Sequence, residues 1–147
     1  MSSTFVRFGE NGVWMRDGFL ELWLRLVALH IEDPVSRESP ALLLRDEWLL
    51  ASRGYFNGSV PVNLKAHASS EAGKSLVLAA IESLEQALKR APADIDPGAL
   101  NLLGMDGDFR GFVRTEGLLE VCEAFRDLLN GRAFGGPSNS TLVPGAI

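Results

Sequence analysis

Apolar positions are densest between residues 19 and 31, FLELWLRLVALHI, where only Glu21, Arg25 and His30 interrupt them. Asp17, Glu21, Arg25 and Glu32 recur at helical spacing and leave one narrow polar stripe, with Glu21 placed to pair with Arg25 one turn on. A helix this apolar must be covered on most of its circumference, so the other elements are expected to wrap around it. Asn11 or Asp17 is expected to cap it, and the chain is expected to leave it near Asp33 and Pro34, because proline disfavours helix at the residue before it. Ahead of it, residues 4–8 alternate weakly, as a strand or an arm would, and Asn11 with Gly12 gives a turn signal.

Four more helices follow from the spacing. Ser39 and Pro40 open the second, as cap and first helical residue, with Leu44, Trp48 and Ala51 on one face, Arg45, Asp46 and Glu47 towards water, and Gly54 as the stop. Tyr55 and Phe56 come next, beside the turn pair Asn57 and Gly58. They are expected to fold back onto the core, and where they stay outside they are candidate partner contacts. The third helix runs over about 70–90, with Val77, Ile81, Leu84 and Leu88 on one face and Glu85 placed to pair with Lys89. Asp96 and Pro97 start a short helix that ends at Gly104. Thr115 is expected to cap the last helix, 116–130, whose core face is Leu118, Val121, Cys122, Phe125, Leu128 and Leu129. The pattern predicts an all-α fold: a single-domain bundle of about five helices around the central apolar one, over residues 1–131. Short irregular or extended terminal segments flank it, residues 132–147 forming an extended or flexible C-terminal tail.

Composition narrows the function classes. A chain of 147 residues, 46% hydrophobic and 22% charged, fits one soluble domain. The net charge of −5 and the missing basic stripe argue against nucleic acid as a partner and leave room for a basic protein. The single cysteine, Cys122, forms no internal disulfide, and the opening MSSTFVRFGENG lacks a secretion signal, so a cytoplasmic location is expected. The longest apolar run is too interrupted to span a bilayer, so no membrane association is expected.

Candidate chemistry adds little. Residues 68–75, ASSEAGKS, fit a relaxed phosphate loop, with Lys74 for the outer phosphates and Ser75 for magnesium. The buried strand that should precede such a loop is missing, Glu71 would put a negative charge in the cradle, and the residues read equally as a helix start capped by Ser69 or Ser70. Residues 106–113, DGDFRGFV, resemble a calcium loop of the EF-hand family at Asp106, Asp108, Gly111 and Val113. Arg110 replaces an oxygen ligand, and Gly117 falls where the bidentate glutamate belongs, so no metal site is expected. His30 and His67 have no cysteine or second histidine at ligand spacing, Cys122 sits on a core face, and no Ser-His-Asp set assembles. The chain is therefore not expected to be an enzyme, and no cofactor is expected.

The last helix carries a clearer signal. Glu116, Glu120, Glu123 and Asp127 fall at i, i+4, i+7 and i+11, one acidic ridge opposite the apolar face. Like charges one turn apart cost ~0.2–0.5 kcal/mol per pair, and Asp127 also opposes the helix dipole. A ridge kept at such a cost suits a surface that steers a basic partner. Its alternative is a solvated face neutralised by Arg114, Arg126 or a neighbouring helix.

The segments LRDEWLLASRGYFNG, LNLLGMDG and LLEVCEAFRDLLNG, with a long helix between the first two, resemble the small immunity proteins of bacterial polymorphic-toxin and contact-dependent inhibition systems. The resemblance covers residues 14–131 in helix order and style. It implies a cytoplasmic, non-catalytic protein that binds one toxin domain and blocks its active site. Glu116, Glu120, Glu123, Asp127, Tyr55 and Phe56 are then the expected partner-binding residues. The alternative is a structural or regulatory helical protein, a homodimer joined around Trp14, Trp48 or Tyr55. A nucleotide- or calcium-dependent protein comes third.

Overall fold

The computed structural model describes residues 2–31, 39–56, 58–105 and 107–132, and the backbone of 142–146. The chain is not an all-α bundle. It is mixed, with six helices and two small antiparallel sheets among the described residues.

The first sheet begins at the N-terminus. β1 (Ser3–Phe8) and β2 (Asn11–Arg16) pair with Phe8 opposite Asn11, so the turn is Gly9 and Glu10, not the Asn-Gly pair. Gly9 has φ +63°, and a glycine at the first central position is what a type II′ hairpin turn requires. Thr4, Val6, Val13 and Met15 share the buried face, while Phe5 and Trp14 meet on the outer one with ring centroids 5.1 Å apart. A Cβ on Gly12 would run into the Phe5 ring and the Val6 carbonyl, so the glycine is needed in the strand and not in a turn. The third strand, β5 (Leu142–Ala146), pairs antiparallel with the free edge of β2. Two strands alone are marginal in water, and the third makes the unit viable.

α1 (Asp17–Leu29) follows β2 without a break. Leu20, Leu22, Trp23, Leu24, Val27 and Ala28 are fully buried, so the central helix is enclosed as its composition requires. The enclosure comes from α2 (Pro40–Ala51), α4 (Glu71–Arg90), strand β2 and the last helix, whose Phe125 and Cys122 meet Trp23. Neither predicted cap operates: Asn11 lies in β2, and Asp17 is the first helical residue, after Arg16. The expected stop at Asp33 and Pro34 lies outside the described residues.

Ser39 caps α2 by accepting the Ala41 N–H, and Leu44, Trp48 and Ala51 are its buried face. A short α3 (Leu64–Ala68), without a periodic signature of its own, precedes α4. Ser70 caps α4 by accepting the Gly73 N–H at 3.0 Å, and Val77, Ile81, Leu84 and Leu88 are buried as the spacing predicts. α5 (Pro97–Leu100) runs into a 3₁₀ turn, Asn101–Leu103, closed by Gly104 at φ +83°. Around it β3 (Asp94–Ile95) pairs with β4 (Val113–Arg114) as a second, two-rung sheet. α6 (Thr115–Leu129) completes the core. Thr115 is not its cap: it donates its hydroxyl to the Pro92 carbonyl and its N–H to that of Ala93.

The centre is aromatic. Trp23 stacks on Phe125 at 4.1 Å, and Trp48 meets both rings at 6.1 and 6.4 Å. Each indole N–H has an acceptor, Cys122 Sγ for Trp23 and the Val62 carbonyl for Trp48, so these large rings are buried without an orphaned donor. No described helix is long and apolar enough to cross a membrane.

Candidate protein-binding surface

The ridge on α6 becomes one wall of a groove. Val121, Cys122, Phe125 and Leu128 turn inward, which leaves Glu116, Glu120, Glu123 and Asp127 on the outer side. Beside them α4 supplies Glu85 and Lys89, and Arg126 and Arg132 close a depression of about 540 Å³.

Charges in it are unevenly compensated. Arg126 reaches Glu85 at 2.9 Å, and Lys89 reaches the same carboxylate at 3.7 Å. The ends of the ridge are paired: Glu116 with Arg114 at 3.2 Å, and Asp127 with Arg132 at 3.1 Å. Arg132 thereby relieves the unfavourable position of Asp127 near the helix C-terminus. The middle of the ridge is different. Among the described residues Glu123 has no cationic partner, and Glu120 Oε2 is buried without a hydrogen-bond partner. Burial, then the charges of Glu116 and Glu123, raise the Glu120 pKa above the ordinary glutamate value, against a weaker opposite pull from Arg114.

Tyr55 and Phe56 do not line this groove. They follow α2, where Tyr55 stays 61% exposed with the Arg53 guanidinium 5.6 Å over its ring, and Phe56 is half-buried. The expectation that Tyr55 folds into the core is therefore corrected: the latter part of that loop is held down elsewhere.

The holding group is a buried polar cluster that periodicity alone did not reveal. Asp17 accepts hydrogen bonds from the Thr4 hydroxyl and the Gly58 N–H, and Thr4 in turn accepts the Val60 N–H at 3.0 Å. Glu21, one turn along α1, is only 8% exposed, and its carboxylate faces Gly54, where a Cβ would lie 3.6 Å away. Burial first, and the neighbouring Asp17 second, raise the Glu21 pKa to about 7. The spacing of Asp17 and Glu21 was legible; that their stripe faces inward was not.

The remaining candidates resolve as follows. His67 lies with Nε2 2.6 Å from Glu47 Oε2 and its ring edge-on to Trp48, on the wall of a mostly apolar pocket of about 340 Å³. Ser39 and Ser70 line the same pocket, and each hydroxyl oxygen already accepts a helix N–H. Residues 68–75 lead out of α3 and not out of a strand, and the His67 carbonyl occupies the space of a Gly73 Cβ, so close packing accounts for this glycine. His30 ends α1 with Nδ1 2.9 Å from Ser83 Oγ, and burial lowers its pKa. Burial raises the Cys122 thiol to about 11. The calcium-like segment is clamped by Asn101, whose amide bonds both the N–H and the carbonyl of Phe109, while Asp106 lies outside the described residues. Among the described residues no group of three or more His, Cys, Asp or Glu side chains is disposed to hold a metal. Compared with known proteins, the chain matches no family, no curated protein and no solved structure.

Proposed function

We propose that this protein is a non-catalytic binding module of the immunity or inhibitor type, which presents the α4–α6 groove to a basic toxin domain. One observation supports the reading above others: the uncompensated carboxylates at the centre of the ridge, Glu120 with a buried, unpartnered oxygen and Glu123 beside it. A protruding lysine or arginine would meet both and displace little of the existing pairing, and the acidic field would speed the encounter. The test is a host in which the gene is removed next to a toxin-like reading frame. Wild type restores growth; Glu120→Lys with Glu123→Lys restores it poorly, and on the purified toxin domain it associates more slowly and with a flatter salt dependence. Unchanged binding by this folded variant would refute the role of the groove.

A second reading, a homodimer, is favoured by the outer face of the first sheet, where Trp14 is 45% exposed against Phe5. Trp48, fully buried, takes no part in such a contact. Sedimentation over a hundredfold concentration range separates the two: a concentration-dependent dimer abolished by Trp14→Ser supports the second reading.

A further inference from the structure

The first sheet has two outer edges, β1 and β5, and they are not alike. In an antiparallel hairpin bonded pairs alternate with unbonded ones along the strands. Phe8 faces Asn11 beside the two-residue turn, and at the other end Asp17 donates its N–H to the Ser2 carbonyl, so the even-numbered residues of β1 bond to β2. Ser3, Phe5 and Arg7 therefore turn their backbone N–H and C=O groups away from β2, and among the described residues these groups have no partner. On the far edge the same alternation turns the backbone of Pro144, opposite Val13, outward, and a proline has no N–H to offer there. One edge is blunted and the other is open.

The open edge is one wall of a groove. Residues 4–7 and 60–65 line about 250 Å³ between them. The second wall is fixed in place: Val60 gives its N–H to the Thr4 hydroxyl, the Trp48 indole N–H bonds the Val62 carbonyl, and both valines are buried. The Val62 N–H turns back to the Val60 carbonyl, and this stretch is not a fourth strand. Arg7 and Lys65 stand exposed, one on each wall, and neither has an acidic partner among the described residues; Glu10, in the hairpin turn, pairs with neither. On a chain of net charge −5 this is a local exception. We infer that the groove is a docking site for an extended acidic segment of another protein, which adds to β1 as a strand and places carboxylates on Arg7 and Lys65.

In such an addition the main-chain bonds to Phe5 and Arg7 supply affinity, and the side chains supply selectivity. The fixed second wall lowers the ordering cost. A groove walled on both sides admits a single extended chain, whereas the edge of a second folded copy would meet residues 60–65. Cations on an edge strand discourage neutral or basic strands from pairing and favour an acidic one. The site shares no lining residue with the α4–α6 groove and stands or falls separately from it.

The probe is a labelled peptide of about eight residues alternating glutamate and valine, long enough to span the six residues of β1. It is titrated into the full chain by fluorescence anisotropy, and amide hydrogen exchange is measured on the free and the saturated protein. In the free protein the Phe5 and Arg7 amides are expected to exchange about a hundredfold faster than that of Val6. Bound peptide should slow both about tenfold and leave Val77 in α4 unchanged. Arg7→Glu with Lys65→Glu should weaken binding about tenfold, and a peptide with lysine for glutamate should not bind. N-methylation of one alternate set of peptide residues should abolish binding, and of the other set should not, because only one set faces β1. No binding at millimolar peptide overturns the inference. So do binding that leaves the Phe5 and Arg7 amides fast, equal affinity for the lysine peptide, and unchanged affinity in the folded double variant. Protection of these amides that rises with protein concentration alone would give the edge to a second copy and also defeat it. If the double variant does not fold, the two N-methylated peptides, measured on wild type, decide.

Discussion

Two sets of carboxylates stand one helical turn apart in this protein, Asp17 with Glu21 on α1 and Glu116, Glu120, Glu123 and Asp127 on α6. In sequence they are the same feature. In the fold they have opposite fates. On α1 the pair is enclosed by β1 and the loop after α2, and Asp17 is fixed by named donors. On α6 the ridge lies at the surface, its ends drawn to arginines and its centre left open. Spacing sets which charges are neighbours; the elements packed around them decide whether the charges organise structure or stay at the surface.

The largest effect that sharpens this contrast is expected at Asp17. Asp17→Ala leaves the Thr4 hydroxyl and the Gly58 N–H without their acceptor, and should cost about 3 kcal/mol in chemical denaturation. A loss below ~0.5 kcal/mol would put α1's pair in the same class as the α6 ridge. Next is the pH dependence of Glu21. Because its folded pKa lies above 4.5, near 7, wild-type stability should decline as pH rises through that window. Glu21→Gln should remove the decline and exceed wild type at pH 8 by on the order of 2 kcal/mol, with little difference at pH 4.5. Denaturation midpoints at the two pH values check it.

Smaller changes belong to α6. Glu120→Gln removes a charge that its burial and then its neighbours disfavour, and should stabilise by roughly 0.5 kcal/mol at neutral pH. The gain should shrink in acid, where wild-type Glu120 is itself protonated. Smallest is Arg114→Ala. Its pair with Glu116 is exposed on both sides, so thermal unfolding should not move measurably. A clear drop would mean that the ridge is held together by its ends.

The helices were largely readable because each carried its own local signature. Ser39 and Ser70 are caps, Gly104 is a stop, and the apolar faces of α2, α4 and α6 are those the 3.6-residue period marks. The sheets were not readable, for a physical reason. β1 and β2 are six residues each, and their turn is Gly9 with Glu10, while the stronger dipeptide signal, Asn11 and Gly12, lies inside a strand. There Gly12 answers to the Phe5 ring, a cross-strand demand that no window along the chain contains. β5 joins β2 from the other end of the sequence, and β3 with β4 is too short to show a period. Of the site, the α6 ridge was visible as spacing, but its arginine partners, the groove wall from α4 and the inward turn of Glu21 depend on tertiary packing.

The bond from Trp23 Nε1–H to Cys122 Sγ also has a practical side. Cys122 is the chain's one thiol, enclosed between α1 and α6 and slow to ionise. An alkylating reagent can reach it only through a molecule whose aromatic centre has come apart. The native sequence thus carries its own clock: the rate at which label appears on Cys122 counts openings of the interior, with no engineered reporter needed.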